Sequence, residues 1–314
     1  MKKSTSFLSL CFLVVLIMFI PSFVSANVEE KIEEVFSLAG DGDVYLKNIS
    51  GDIVVKSWDR DEIKIIARKV AGSRKELDKI TIDIDRKDSS IEIITRHEKS
   101  SRLFPFSLFS PSNASVHYEM NIPGKARLSV KSISGRAEVY EIGGYLDIET
   151  TSGDIKVATA LDGARCKSVS GSIHLEGITG DADLVAASGE ISIERIKGSI
   201  NAKTVSGDIE LDSFSSAKEI DAKSVSGSIK SRGKLNPEGI YGFNTVSGGI
   251  KISIPSDSEF ELKTETTSGS IESDFEISVS GKINRNNLQG VVGKGGARIS
   301  ISSVSGGIQI IKQD

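Results

Sequence analysis

Residues 148–157 read Ile-Glu-Thr-Thr-Ser-Gly-Asp-Ile-Lys-Val, residues 166–175 Cys-Lys-Ser-Val-Ser-Gly-Ser-Ile-His-Leu, and residues 202–211 Ala-Lys-Thr-Val-Ser-Gly-Asp-Ile-Glu-Leu. The same Ser-Gly pair, with Ile two positions on, places glycines at Gly153, Gly171, Gly189 and Gly207, preceded by the variant Ser134-Gly135-Arg136-Ala137, at a constant step of 18 residues. The register continues at Gly227, Gly248 and Gly269 with steps of 20, 21 and 21, and returns at Gly306. Ser280-Gly281-Lys282-Ile283 follows Gly269 by only 12 residues and reads as an out-of-phase, irregular coil. Ser50-Gly51-Asp52-Ile53 carries the motif 84 residues before Gly135 and reads as a first coil.

Aligned on the glycine, the copies show an apolar period of two on both sides. Two residues after it stand Ile155, Ile173, Ile191, Ile209, Ile229, Ile250, Ile271 and Ile308; seven before it stand Leu128, Leu146, Ala164, Ala182, Ile200, Ile220, Tyr241, Leu262 and Ile299. Period two is the signature of strands with one buried face, so each copy is two short strands meeting at a corner. Gly enters φ > 0 without a Cβ clash, which marks Gly51, Gly135, Gly153, Gly171, Gly189, Gly207, Gly227, Gly248, Gly269 and Gly306 as structural corners. Three residues before the corner come Ser132, Thr150, Ser168, Thr204, Ser224, Thr245, Thr266 and Ser303, whose hydroxyls can bond along a stack or to turn backbone. Gly144, Gly180 and Gly198 mark the return turn. A coil of this size cannot bury its apolar face alone, so coils must stack at about 4.8 Å. The predicted fold is all-β: a single-stranded parallel β-helix, or β-solenoid, of about 18–21-residue coils.

Residues 27–125 have a different texture. Short alternating runs separated by clusters such as Trp58-Asp59-Arg60-Asp61 predict an N-terminal antiparallel β region that caps and continues the solenoid, with one helical turn near Arg74 to Leu77. The predicted division is a signal peptide over 1–26, this β region over 27–125 and the repeat solenoid over 126–314. Lys2 and Lys3, the apolar run Leu8 to Ile20, Pro21, and the small-residue site Val24-Ser25-Ala26 predict export and cleavage near Ala26. The alternative is an uncleaved anchor, although Phe7 to Phe23 is short for a span. No later stretch could cross a bilayer.

Composition narrows the function classes. Without Lys2 and Lys3 there remain 37 basic residues against 43 acidic ones, a net charge of −6, which argues against nucleic acid as a partner. After cleavage Cys166 is the only cysteine; it falls on an apolar column and reads as a buried, inert thiol. His97, His117 and His174 lack metal spacing, Asp41-Gly42-Asp43 lacks the acids to complete a calcium loop, and Gly293-Lys294-Gly295-Gly296 lacks a phosphate-loop context, so neither metal nor cofactor is expected. Asp52, Asp154, Glu190 and Asp208 follow the corner glycine but interchange with serine and glycine, as a solvated face does.

Gly51-Asp52-Ile53-Val54-Val55 with Trp58-Asp59-Arg60 after it, Ile122-Pro123 before the repeats, and the recurrent Thr-Val-Ser-Gly-Asp-Ile of Thr204 to Ile209 resemble the bacterial putative-adhesin domains of unknown function, akin to head domains with a glycine-isoleucine-asparagine signature. The resemblance spans nearly all of the chain after residue 26. It implies an envelope-associated, non-catalytic β-solenoid and supplies no binding residues. The chain departs from the usual pattern at Ser101 to Ser112, which is longer and more aromatic.

That departure holds Leu103, Phe104, Phe106, Leu108 and Phe109, interrupted by Pro105. It is either a candidate interaction loop, since exposed apolar clusters are seldom idle, or a plug over an open end of the solenoid. The function expected is a non-enzymatic exported envelope or surface scaffold, adhesin-like, that binds an envelope polymer, protein or cell surface through a solenoid face or this loop. Edge strands at either terminus offer a route to self-association. The alternatives are a glycan-active β-helix enzyme using Asp154, Glu190 or Asp208, and an ice-binding solenoid, the latter disfavoured by charged neighbours of the Ser/Thr columns.

Overall fold

In strand Leu146–Ser152, Leu146, Ile148 and Thr150 are buried while Asp147 and Glu149 stand outward, and the same alternation recurs in Ala164–Ser170, Ala182–Ser188 and Ile200–Ser206. Each such strand turns at its glycine into a second one, as Ile155–Ala160 follows Leu146–Ser152, whose inward residues face those of the first. The chain therefore winds into two long sheets with a shared apolar core, in a computed structural model that describes residues 27–98, 114–215, 217–279 and 286–313.

Stacking is parallel and in register. Ile148 lies between Val130 and Cys166, and Cys166 between Ile148 and Leu184, so like side chains pile on like down each file. Single bridges from Ala160 to Ile178 and from Ile178 to Ile196 give the coil a short third side before the chain returns to the first sheet. Cys166 is fully buried, and desolvation pushes its thiol pKa up, which leaves it in the unreactive protonated form.

The strands of residues 27–125 belong to the same two sheets. Asp43–Ser50 and Ile53–Trp58 pair in parallel with Arg127–Ser134 and Ala137–Ile142, which makes the Gly51 coil the neighbour of the Gly135 coil. Ser90–His97 and Ser115–Pro123 add one more rung beyond it, again in parallel. Only the outermost strands run antiparallel at this end: Ile80–Lys87 on one sheet, Glu62–Ala71 and then Val28–Ser37 on the other. A helical turn, Arg74–Leu77, capped by the Ser73 hydroxyl, presses the buried Leu77 against this end. Across the core, the Thr95 and Tyr118 hydroxyls hydrogen-bond at 2.7 Å, and burial raises the Tyr118 pKa to about 12.

The far end departs from chain order. The rung formed by Ala297–Ser305 and Ile308–Gln313 is inserted between the Gly248 rung and the Gly269 rung. Strand Phe260–Ser268 has its outer edge occupied by antiparallel Asn287–Val292, so it ends the parallel stack, and the last rung fills the gap beneath it. Phe260 and Phe275 meet edge to face at 5.2 Å to seal this end. The Ser280-Gly281-Lys282-Ile283 motif lies outside the described residues.

One position in the core breaks the pattern. Ser231 stands between Leu211 and Ile252, 2% exposed, and its hydroxyl has no hydrogen-bond partner among the described residues. A buried, unpaired hydroxyl costs about 1–3 kcal/mol. Ser231→Ala is therefore expected to stabilise the protein by about 1 kcal/mol, read as a higher urea midpoint with an unchanged slope; a lower midpoint would contradict the assignment.

Candidate binding face

The elbow between the sheets is the most regular surface of the molecule. Its glycines form one file in the order Gly51, Gly135, Gly153, Gly171, Gly189, Gly207, Gly227, Gly248, Gly306, Gly269. A methyl group on any of the nine after Gly51 would come within 1.9–2.3 Å of the carbonyl oxygen of the glycine beneath it. Left-handed φ values occur in this file only at Gly51 (112°) and Gly135 (116°). At the other eight the requirement is close backbone approach, not the backbone conformation that the sequence suggests.

The hydroxyl column closes the elbow from inside. Ser168 and Thr204 donate to the carbonyls of Gly153 and Gly189 one rung below, and Ser224, Thr245, Ser303 and Thr266 do the same to Gly207, Gly227, Gly248 and Gly306. In the Gly51 rung Asn48 takes the place of the hydroxyl and donates to the Gly51 and Val116 carbonyls. Three positions depart from this: Ser132 donates to the Ser134 carbonyl and Thr150 to the Gly153 carbonyl within their own rungs, and Ala186 has no hydroxyl to offer the Gly171 carbonyl.

Outside, the carboxylates after the glycine are tied to backbone. Asp52, Asp154 and Asp208 accept from the amides of Arg136, Ser172 and Ser228 in the next rung at 3.0, 2.9 and 2.7 Å. Each thus caps a turn of the adjoining coil. Among the described residues no group of His, Cys, Asp and Glu is arranged to hold a metal ion.

Immediately before the glycines run two further files, the serine of the Ser-Gly pair and, one position farther back, an aliphatic file outside that motif. The nearer is serine in all of these rungs, as in Ser134, Ser152, Ser170, Ser188, Ser206 and Ser226. The next is aliphatic and exposed: Ile133, Val169, Val205, Val225, Val246 and Val304, at 45–54%. Among the described residues these are six of the eleven large exposed apolar side chains, so more than half of them stand on one line. The inserted last rung makes four of them consecutive, with Val304 beyond Val246. Two residues farther back on the same face stand Lys47, Lys131, Lys167, Lys203 and Lys223.

The candidate loop residues Leu103, Phe104, Phe106, Leu108 and Phe109 lie outside the described residues. The strands that flank them, Ser90–His97 and Ser115–Pro123, belong to opposite sheets of one rung. The open sheet edges among the described strands are Val28–Ser37 and Ile271–Ser273 in one sheet, Ile80–Lys87 and Ser278–Val279 in the other. No helix of the described residues is long and apolar enough to cross a membrane.

Comparison with curated proteins gave no match. Among solved structures, a putative adhesin from Bacteroides fragilis aligns over 90% of this chain and 97% of its own at 15% identity, with a TM-score of 0.43. A putative lipid binding protein from Parabacteroides distasonis aligns over 90% and 97% at 12% identity, TM-score 0.46, and a putative adhesin from the same organism over 89% and 97% at 11%, TM-score 0.37. At these scores the likenesses carry no argument about function, and the glycine-isoleucine-asparagine head domains are not among the matches described. The Toastrack DUF4097 family model matches residues 43–311, from the first strand of the Gly51 rung into the last strand of the Gly306 rung, and the chain belongs to that family.

Proposed function

We propose that the protein is a non-enzymatic, exported scaffold of the bacterial envelope that holds an extended partner along its elbow face. The observation that carries this reading is the line of exposed aliphatic side chains from Ile133 to Val304, set beside a serine file on a rigid, in-register stack. Exposed apolar surface concentrated on one line marks a contact site, because water gives it no partner. An enzymatic reading on Asp154 and Asp208 is weakened by their engagement as backbone caps of the adjoining rungs. Localisation rests on the N-terminal Lys2-Lys3 and apolar run of the sequence, and the Leu103 to Phe109 segment is proposed as a second contact.

Val205, Val225, Val246 and Val304 replaced together by threonine would keep β-branched shape and strand preference while removing apolar surface. This variant is expected to fold with a similar thermal midpoint and to lose about tenfold in binding to whole cells and envelope fragments. Undiminished binding would remove the elbow face from the proposal. Turnover of an envelope glycan that disappears in Asp154→Asn or Asp208→Asn would replace it with an enzyme.

A further inference from the structure

On the outer face of the first sheet, a groove of about 430 Å³ runs along the stack between two of these files, with Lys47, Lys131, Glu149 and Lys167 on one side and Ile133 and Val169 on the other. It crosses four successive rungs, a length of about 14 Å at the usual strand spacing. Its direction is perpendicular to the strands. A peptide adding to a sheet needs a free edge to pair with, and none lies here, so strand addition cannot fill it. What fits is a linear chain whose own repeats advance along the rungs.

The charge states the chemistry of that chain. Three lysines line the groove against one carboxylate, in a protein whose net charge is −4. Glu149 is already held by Lys131 at 3.1 Å, and that hydrogen bond lowers its pKa. Lys47 and Lys167 have no ion pair among the described residues. Beyond the groove, past Val185, the same file resumes with Lys203, which has no ion pair among the described residues, and Lys223, which pairs with Asp221 at 2.6 Å. A cationic row beside an aliphatic row and a serine row complements a polymer with regularly spaced negative charges, an apolar face and hydroxyls.

We propose that this groove binds a linear anionic polymer of the envelope, with Lys47, Lys131 and Lys167 meeting its charges and Ile133 and Val169 its apolar face. The proposal rests on the scaffold reading above and names the partner chemistry of the same face. The negative charge can come from uronate carboxylates or from phosphodiesters, and the probes separate the two. Full-length protein is titrated with polygalacturonate, with poly(glycerol phosphate), with neutral dextran and with anionic phospholipid vesicles.

Binding of one or both polyanions, weakened by salt, and no binding of dextran is expected. Combined Lys47→Gln, Lys131→Gln and Lys167→Gln should weaken it about tenfold or more, the scale of one or two charge-assisted contacts. Lys156→Gln, Lys230→Gln and Lys251→Gln, on the outer face of the opposite sheet, remove the same charge and should leave it within about twofold, since a distant surface charge is screened. Binding by neither polyanion, equal losses in both triple variants, or binding to vesicles alone would overturn the proposal. Cell binding that needs the valine file but persists without polyanion binding would reject the anionic polymer and leave the scaffold reading standing.

Discussion

Gly248→Ala is expected to destabilise the protein by about 3 kcal/mol or more, whereas Gly249→Ala, one residue along, should change stability by less than about 0.5 kcal/mol. A Cβ on Gly248 would lie 2.1 Å from the Gly227 carbonyl oxygen and 2.6 Å from its carbon, both rigid backbone atoms of the next rung. Relief requires parting two rungs that are joined along both sheets, including the hydrogen bond from the Gly227 amide to the Ser247 carbonyl and the one from the Thr245 hydroxyl to the Gly227 carbonyl. A Cβ on Gly249 meets nothing nearer than the Gly307 carbonyl at 3.6 Å, ordinary van der Waals contact, and its φ is outside the left-handed region. Chemical denaturation of the two variants checks this directly. Equal effects would mean that the elbow glycines serve turn conformation rather than close stacking.

The contrast also measures how far the residues announced the fold. Two columns of Ile and Leu flanking a glycine at a constant step predict stacked coils, because only in-register neighbours turn a repeated position into a continuous core, as Ile148, Cys166 and Leu184 do. The Ser/Thr column was legible as a hydrogen-bonding file, though its acceptor, the glycine carbonyl one rung away, is a three-dimensional fact. Most elbow glycines serve close approach and not the left-handed turn the pattern predicts, since the pattern alone cannot tell a left-handed turn from a place where two backbones nearly touch. The aliphatic and lysine files went unnoticed because outward positions vary more: Thr151 and Ala187 interrupt the first, Glu149 and Val185 the second. Rung order at the end could not be read at all. Gly248, Gly269 and Gly306 carry equivalent motifs, and nothing local says which will be neighbours.

That rung order makes the rung of residues 297–313 indispensable to segments that precede it. In a stack laid down in chain order, removing the final coil would expose one new edge and cost only its own contacts. Here, deletion of residues 297–313 takes away the rung between the Gly248 and Gly269 coils. Phe260–Ser268 then loses its only parallel partner, Ile271–Ser273 loses Ile308–Gln313, and Leu262 and Phe260 lose the Ile299 and Ala297 they stack on. The antiparallel strands Asn287–Val292 and Ser278–Val279 hang from Phe260–Ser268 alone and cannot hold it in place, since so few strands are marginal by themselves. Amide hydrogen exchange on the truncated chain is therefore expected to show protection lost from about residue 256 onward, by a factor of about 100 or more in rate, while the rungs between Gly135 and Gly207 keep theirs. Sub-global opening should stop near the Gly227 rung, because stability in a stacked repeat is a sum of neighbouring interfaces. If residues 260–292 stay protected after the deletion, they pair with the rest of the stack by another route, and the inserted rung is not what anchors them.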